Sequence, residues 1–200
     1  MVLLHNHHKI EWIGGTRDDA AGEAFDKTAR LLSLPYPGGP AIASEAAKFE
    51  ARNSKFEIKL PRPMLNENNF DFSFSGLKTA VFKEIETLKK QKQFNNLTIQ
   101  QLSYEIQEAI VDVLTKKLLN AVKKYNPKSI VLSGGVASNT RLRQNLQNNL
   151  SSTTMLKHLH MAPPRLCTDN AAYIAARAFF QKKSVKWQQV SAIPNLTITD

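Results

Sequence analysis

Apolar residues recur at helical spacing through the middle of the chain and predict one long helix there. From residue 99 to residue 122 an apolar side chain returns every three or four positions, and the pattern continues to about Tyr125. Thr98 followed by Gln101 matches a capping box, in which side chains satisfy the first unpaired amides of a helix. The sequence therefore predicts a helix over residues 98–125.

Two short apolar runs at the start of the chain flank a polar segment and predict a β-hairpin. They are Val2–Leu4 and residues 10–13. Two glycines then break the pattern, and a helix is expected to follow as far as about Leu32. Thr16 is its predicted N-cap, and Asp18 and Asp19 would fall in its first turn, where the helix dipole favours anions.

A strand that stops at paired glycines is the stretch around which we expect the chain to be organised. Ile130–Leu132 reads as a buried strand, Ser133, Gly134 and Gly135 as a turn, and a helix opens near Ser138 or Asn139. Paired glycines let the backbone approach a ligand, and the helix start points free amides at it, which suits a phosphate or nucleotide. Together with the preceding helix, this predicts a doubly wound α/β unit with its ligand at the carboxyl end of the strand.

The rest of the pattern predicts shorter elements. Strands are expected at residues 56–60, 70–75 and 153–159, and helices at residues 41–51, 77–92 and 170–180. Residues 34–40 contain three prolines and two glycines and predict an exposed turn whose amides can face a ligand. Residues 182–200 form a polar tail without a recognisable motif.

Charge and cysteine content narrow the function classes. The formal net charge is +10 and the sequence pI is about 9.7, which favours an anionic partner, nucleic acid first, with a solvated basic surface as the alternative. A single cysteine, Cys167, excludes an internal disulfide and fits a reducing compartment, so we expect a cytoplasmic protein. No apolar run is long enough to span a bilayer, and no membrane partner is expected.

Three groups of residues leave two interpretations open. The carboxylates Asp19, Glu23 and Asp26 share a helix face, where they either meet a ligand or are solvated and paired with Lys27 and Arg30. The histidines at positions 5, 7 and 8 invite a metal but suit an exposed hairpin tip better. The phenylalanines at positions 70, 72 and 74 are expected in the core, with base stacking as the alternative.

Six segments, taken in order, resemble the TsaD family of tRNA threonylcarbamoyladenosine transferases, once described as O-sialoglycoprotein endopeptidases (Gcp-like). They are DDAAGEAFDKTARLL (18–32), YPGGP (36–40), PRPM (61–64), DFSFSGLKT (71–79), VLSGGVASN (131–139) and CTDNAA (167–172). The resemblance implies an actin-like ATPase fold (ASKHA, ribonuclease H-like). It also implies transfer of a threonylcarbamoyl group from threonylcarbamoyl-AMP to the N6 amine of adenosine 37, in tRNAs that read codons starting with A.

Carried over residue by residue, the resemblance implies a binding site for this adenylate. Asp26 in FDK, Gly39 in PGGP and Asn139 in SGGVASN match positions that bind it, with Gly134 and Gly135 as supporting backbone. The residue types suit these roles, because a carboxylate can accept hydrogen bonds from ribose hydroxyls and amides can lie against a phosphate.

The resemblance also implies one divalent metal, iron with zinc as the alternative, and matches Asp169 in CTDN to its carboxylate ligand. Read without the resemblance, Asp169 is expected only to cap the helix that follows it. The family's two histidine ligands, in an HxxxH helix, have no counterpart in this chain. Ala43 stands where many relatives carry an acidic residue, so one ribose contact is not expected here.

These departures predict a C-terminal part of such a transferase, truncated at its N-terminus. Residues 1–181 would form the α/β domain, with a helical insertion at about 77–125, and residues 182–200 the tail. The expected partners are tRNA, the missing N-terminal half, a paralogous subunit and a small ATPase. The competing hypotheses are a non-catalytic tRNA- or partner-binding module, and another actin-like ATPase or kinase.

Overall fold

Helices dominate the protein, and its strands are short. The computed structural model describes residues 1–52, 58–151, 158–181 and 184–192, and over these ranges the protein is α/β. The helices are α1 Ala21–Leu31, α2 Gly38–Glu50, α3 Ser75–Lys90, α4 Asn96–Tyr125, α5 Thr140–Leu150 and α6 Ala171–Gln181. The strands are β1 Val2–Leu4, β2 Ile10–Trp12, β3 Ile130–Leu132 and β4 Leu159–Met161.

Helix α4 is the element on which α1, α2, α3 and α5 pack. It ends at Tyr125 as predicted, and Asn126 terminates it in the left-handed conformation with φ 43°. The capping box begins at Asn95, three residues before the predicted position at Thr98. The side chain of Asn95 accepts from the amides of Leu97 and Thr98, and the Thr98 hydroxyl accepts from the Asn95 amide, so Thr98 is the partner in the box rather than the cap.

The main hydrophobic core lies between α1, α2, α3 and α4. Its buried large side chains include Phe25, Ile42, Leu77, Val81, Ile106 and Ile110. Full burial of a side chain of this size contributes about 1.5–3 kcal/mol. A smaller cluster of Val111, Leu142 and Leu146 joins α4 to α5, so the helix that follows the glycine turn is fixed to the centre of the molecule.

The predicted hairpin is present, since β1 and β2 pair antiparallel with Val2 opposite Trp12. β3 and β4 pair in parallel through the α5 crossover, with Ile130 opposite Leu159, and form a βαβ unit of the kind that builds doubly wound sheets. β3 is not the buried strand that was predicted, because Val131 is 64% exposed. β4 runs on to Met161, whereas the predicted strand ended at residue 159; residues 153–157 of that prediction lie outside the described residues.

The start of α1 was predicted wrongly. The helix begins at Ala21, and Thr16 does not cap it but donates its hydroxyl to the Asp19 carbonyl. Asp18 instead reaches a different helix, because its carboxylate accepts from the amides of Phe74 and Ser75 at the start of α3. A carboxylate capping a neighbouring helix leaves no trace in the local pattern.

The expected strand over residues 70–75 is also wrong. Phe72 makes one isolated bridge, to Thr16, and α3 already begins at Ser75, so Gly76 lies inside the helix. The alternation of phenylalanines with polar residues nevertheless indicates correctly which side chains face the core. Phe74 is 2% exposed, and Phe72 packs against the main core. Core packing rather than base stacking is therefore correct for these two rings.

Two further predictions fall partly outside the described residues. Residues 53–57 are not described, and residues 58–60 are irregular, because the Leu60 amide donates to the Glu105 carboxylate rather than to a strand. Of the tail, residues 184–192 are described and hold a short 3₁₀ turn, Trp187–Gln189. Across the described helices, none combines the length and the apolarity needed to cross a bilayer.

Candidate nucleotide-binding site

Asp26 of α1 holds the first turn of α2. The Gly38 amide donates to Asp26 Oδ1 at 2.7 Å. The first amides of a helix have no partner within the helix, so this carboxylate satisfies one of them and complements the positive end of the dipole. The second oxygen, Oδ2, has no hydrogen-bond partner among the residues that the structure describes. Asp26 therefore uses one carboxylate oxygen to hold the start of α2, and its other oxygen is not engaged by the described residues.

Residues 38–40 are the start of a helix, which corrects the prediction of an irregular turn over 34–40. Gly38 is buried, and a Cβ on it would lie 2.6 Å from Asp26 Cα and 2.7 Å from the Phe25 carbonyl oxygen. Only glycine lets α2 begin this close to α1. Gly39 is different, because a Cβ there would meet nothing within 4 Å. A side chain at this position would point into open space.

The predicted glycine turn follows β3. Gly134 has φ +87°, a value that side chains rarely allow, and leads into a 3₁₀ turn, Gly135–Ser138, just before α5. A Cβ on Gly134 or Gly135 would meet nothing within 4 Å. The backbone of this turn is therefore open to a bulky group.

Asn139 caps α5, as its place at a helix start implied. Its Oδ1 accepts from the Leu142 amide at 3.0 Å, and its Nδ2 donates to Gln107 Oε1 at 2.9 Å. Each end of the amide group thus has one protein partner, and the second lone pair and second hydrogen are left for a ligand. Its contact with a base or phosphate stays a prediction.

Polar residues of α4 fix this helix start, and sequence reasoning missed them. Next to Gln107, Glu108 accepts from Arg141 through both oxygens, at 2.6 and 2.7 Å, and these bonds raise the pKa of Arg141. The signal was present in the sequence, since Glu105, Gln107 and Glu108 interrupt an otherwise apolar pattern at positions that turn out to be buried.

Helix α1 brings the two glycine-bearing segments to one side of the molecule. Gly22 lies one turn before Asp26 on the same face, and a Cβ on Gly22 would lie 3.6 Å from Val136 Cγ2. Val136 directly follows Gly135. The carboxylate of Asp26, the start of α2 and the glycine turn therefore border the same region along α1.

The other carboxylates on this face are engaged in ion pairs. Lys27 Nζ lies 2.6 Å from Asp19 and 2.7 Å from Glu23. The paired interpretation is thus confirmed for both residues, although only Glu23 is solvated, since the Asp19 side chain is 17% exposed. Asp26 is not part of this network.

Comparison with known proteins decides the family. Residues 1–176 match the family model TsaD, described as tRNA N6-adenosine threonylcarbamoyltransferase. The chain belongs to the TsaD family. The TsaD match includes every residue proposed above for the site.

Curated relatives of the same name resemble the chain almost from end to end. The protein of Syntrophomonas wolfei is 43% identical over 98% of this chain, and that of Thermosipho africanus is 41% identical over 99%. The protein of Geobacillus thermodenitrificans is 44% identical over 88%. These matches cover 56%, 58% and 49% of the relatives, so the chain spans about half the length of the curated relatives it matches.

Asp169, the metal position by TsaD resemblance, lies exposed in the loop before α6. Asp169 was expected to cap that helix, but it does not. Asn170 does, since its Oδ1 accepts from the amides of Ala172 and Tyr173, while Asp169 Oδ1 accepts from the Tyr173 hydroxyl at 3.2 Å. The helix that carries this loop buries none of its residues.

The described residues do not form a metal site by themselves. Over the described ranges, no three histidine, cysteine, aspartate or glutamate side chains lie close enough to hold an ion. The hairpin histidines have other contacts, as His5 pairs with Glu11 and His7 stacks on Phe180 with ring centroids 3.8 Å apart. Asp169 can supply one carboxylate to a metal and no more.

Proposed function

We propose that this chain is the nucleotide-binding part of a tRNA N6-adenosine threonylcarbamoyltransferase with an actin-like fold. One observation carries the proposal: three glycines, at positions 39, 134 and 135, face open space beside two anchored helix starts and the free oxygen of Asp26. Nothing inside the described protein requires glycine at 39 or 135. A ligand that lies against the backbone would require it.

The AMP half of threonylcarbamoyl-AMP fits these groups. The amides near Gly39 and in the Gly134–Gly135 turn would donate to phosphate or ribose oxygens, aided by the helix dipoles of α2 and α5. Asp26 Oδ2 would accept from a ribose hydroxyl. Asn139 would add one donor or acceptor toward the base or phosphate.

The reaction transfers the threonylcarbamoyl group to RNA. The N6 amine of adenosine 37 attacks the carbamoyl carbon, the bond from that carbon to the phosphate oxygen breaks, and AMP leaves as the amine loses a proton. The residues named here would bind and orient the adenylate, which lowers the barrier by holding the reacting carbon in place. We assign no proton transfer to them.

The remaining parts of the proposal concern the metal, the partner subunits and the domain bounds. Asp169 would give one ligand to a divalent metal, iron or alternatively zinc, whose other ligands would come from a polypeptide equivalent to the rest of the relatives' length. A paralogous subunit and a small ATPase would complete a cytoplasmic assembly. Residues 1–181 would be the domain, with the insertion at about 77–125, and residues 182–200 its tail.

The test combines the chain with a polypeptide equivalent to the other half of the Syntrophomonas wolfei relative. With threonylcarbamoyl-AMP, metal and tRNA, mass spectrometry should find threonylcarbamoyladenosine in the RNA, and the Asp26→Ala chain should yield much less. Co-purification of the two polypeptides without any modified adenosine, under conditions where the intact relative is active, would overturn the proposal.

A further inference from the structure

Acidic residues are absent from a long interval of this chain. No aspartate or glutamate occurs between Asp112 and Asp169, while the interval holds nine lysines and arginines. Some of these are engaged inside the protein, such as Arg141 with Glu108. Four lysines are exposed and make no ion pair within the described ranges. They are Lys116, Lys123, Lys124 and Lys128.

Two of these lysines line a groove beside the last turns of α4. The groove is open to solvent and has a volume of about 400 Å³. We call it the lysine groove. Its lining includes Asn68, Asn69, Phe70, Asn120, Lys123 and Lys124.

A buried lysine fixes one wall of the lysine groove. Lys117 is 0% exposed, and its Nζ donates to the carbonyl oxygens of Glu67 and Asn69, at 3.0 and 2.7 Å, and to Asn69 Oδ1 at 3.2 Å. Burial lowers the pKa of Lys117. These bonds hold the polar loop against α4, so the groove is formed before any ligand arrives.

At the other wall of the lysine groove, two aromatic rings contact the ammonium group of Lys124. Lys124 Nζ lies 5.3 Å from the ring centre of Phe70 and 5.2 Å from that of Tyr125. Both distances are within the range of a cation–π contact, which orients the ammonium group without neutralising it. Lys124 therefore presents a full positive charge in a defined place.

The single acid that lines the groove is Glu67, and its Oε2 accepts from the Asn69 side chain. The lysine groove thus offers two lysines without an ion pair and the amide side chains of Asn68 and Asn120, whereas the Asn69 side chain is engaged within the loop. Amides can both donate to and accept from sugars and base edges, while lysines contact phosphates. An RNA backbone matches both kinds of group, because its phosphates suit the lysines and its ribose hydroxyls suit the amides; an acidic peptide is the competing ligand.

We propose that the lysine groove binds the ribose–phosphate backbone of looped RNA. This inference rests on the proposed function, whose substrate is a tRNA. The groove is separate from the glycine turn. No residue of the glycine turn lines the groove. Lys124 precedes Gly134 by ten residues, so the two places lie at most about 35 Å apart.

The experiment measures binding of a fluorescein-labelled RNA stem-loop, carrying a tRNA anticodon loop, to the full chain by anisotropy over a salt series. The test variant is Lys123→Gln with Lys124→Gln. The matched control is Lys89→Gln with Lys90→Gln, which removes two consecutive lysines from the last turn of α3, where Lys89 also lies over an aromatic ring, Phe94. Thermal unfolding checks that both variants fold.

The groove variant should bind RNA about tenfold more weakly, and its slope of log affinity against log salt should flatten by about 1.4 to 1.8, since two phosphate contacts are lost. The control should match wild type. Equal losses in both variants, or none in either, would overturn the inference. So would polyglutamate binding as tightly as RNA with the same loss in the groove variant.

A further arm separates this inference from the proposed function. AMP binding, followed by glycine amide resonances, should be unchanged in the groove variant. If AMP binds but the stem-loop does not, the inference about the groove fails alone. If the stem-loop binds through the groove but AMP does not reach the glycines, the proposed nucleotide site fails instead.

Discussion

Asp26 and Asp169 are the two carboxylates that the sequence singles out, and their surroundings differ sharply. Asp26 lies on α1, between helices packed in the main core, and its Oδ1 holds the Gly38 amide. Asp169 lies in an exposed loop before α6, whose Ile174 and Phe179 are 62% and 71% exposed. The residues of the proposed nucleotide site are therefore held in place within this chain. The proposed metal position is one carboxylate in a loop, before a helix that buries none of its residues.

This contrast teaches that a motif marks chemistry, whereas packing decides whether a chain can position it alone. When a carboxylate held between packed helices binds a ligand, little further conformational entropy is lost. A carboxylate in an exposed loop needs other groups to fix it. The variants below test the contrast, beginning with the change that should disturb the packed side most.

Gly38→Ala should destabilise the protein by about 3 kcal/mol, because the new Cβ would overlap the backbone of Asp26 and Phe25. Urea unfolding measures the change. Gly39→Ala is the matched control, since its Cβ meets nothing, and it should alter stability by no more than about 1 kcal/mol. Equal effects of the two substitutions would show that α2 does not begin against α1.

Arg141→Ala should cost about 2 kcal/mol by leaving Glu108 poorly solvated and unpaired. The figure is below that for a fully buried pair because the Arg141 side chain is 31% exposed. Chemical denaturation gives the value. Lys48→Ala, which removes the exposed pair with Glu45, should change stability by less than about 0.5 kcal/mol. A negligible effect of Arg141→Ala would mean that α4 does not anchor the start of α5.

Asp18→Ala should cost about 1 kcal/mol, the usual value of a lost helix cap. Partial desolvation raises the pKa of Asp18, but hydrogen bonds from Ser73 and from the Phe74 amide outweigh it and lower the pKa to about 2. The ionised cap is therefore fully present above about pH 4, and its stabilisation is lost as the pH falls from about 4 to 2. Stability curves of wild type and Asp18→Asn at several pH values should converge over this interval.

Asp169→Ala should leave stability within about 0.5 kcal/mol of wild type, as expected for an exposed residue. Asp26→Ala should cost about 1 kcal/mol, since it removes the cap of α2. Differential scanning calorimetry of the two variants side by side measures this smallest difference. A larger loss for Asp169→Ala than for Asp26→Ala would reverse the comparison between the two sides.

Much of the fold could be predicted because its determinants are local. The apolar period of α4 and the sequence of strand, glycine turn and helix at β3–α5 depend on residues within a few positions of one another. The caps could not be predicted in the same way. Asp18 binds the start of α3, and Asp26 binds the start of α2, so in both cases tertiary packing chose the partner.

The residues of the candidate site were predicted from the sequence, but the residues that hold them in place were not. Asp26, Gly39 and the glycine turn follow from motif resemblance, and the structure places them around one side of α1. That Gly38, not Gly39, is the glycine required for packing appears only in three dimensions. The same holds for Gln107 and Glu108, whose partners lie more than thirty residues away.

The most direct test of the nucleotide site uses the chain labelled with [¹⁵N]glycine, whose eight glycine amides report separately during a titration with AMP. The resonances of Gly39, Gly134 and Gly135 should shift together along one binding curve, while those of Gly14, Gly15 and Gly76 stay in place. Shifts confined to the second group, or no saturable shift at Gly39, Gly134 and Gly135, would contradict a nucleotide site built on these glycines and Asp26.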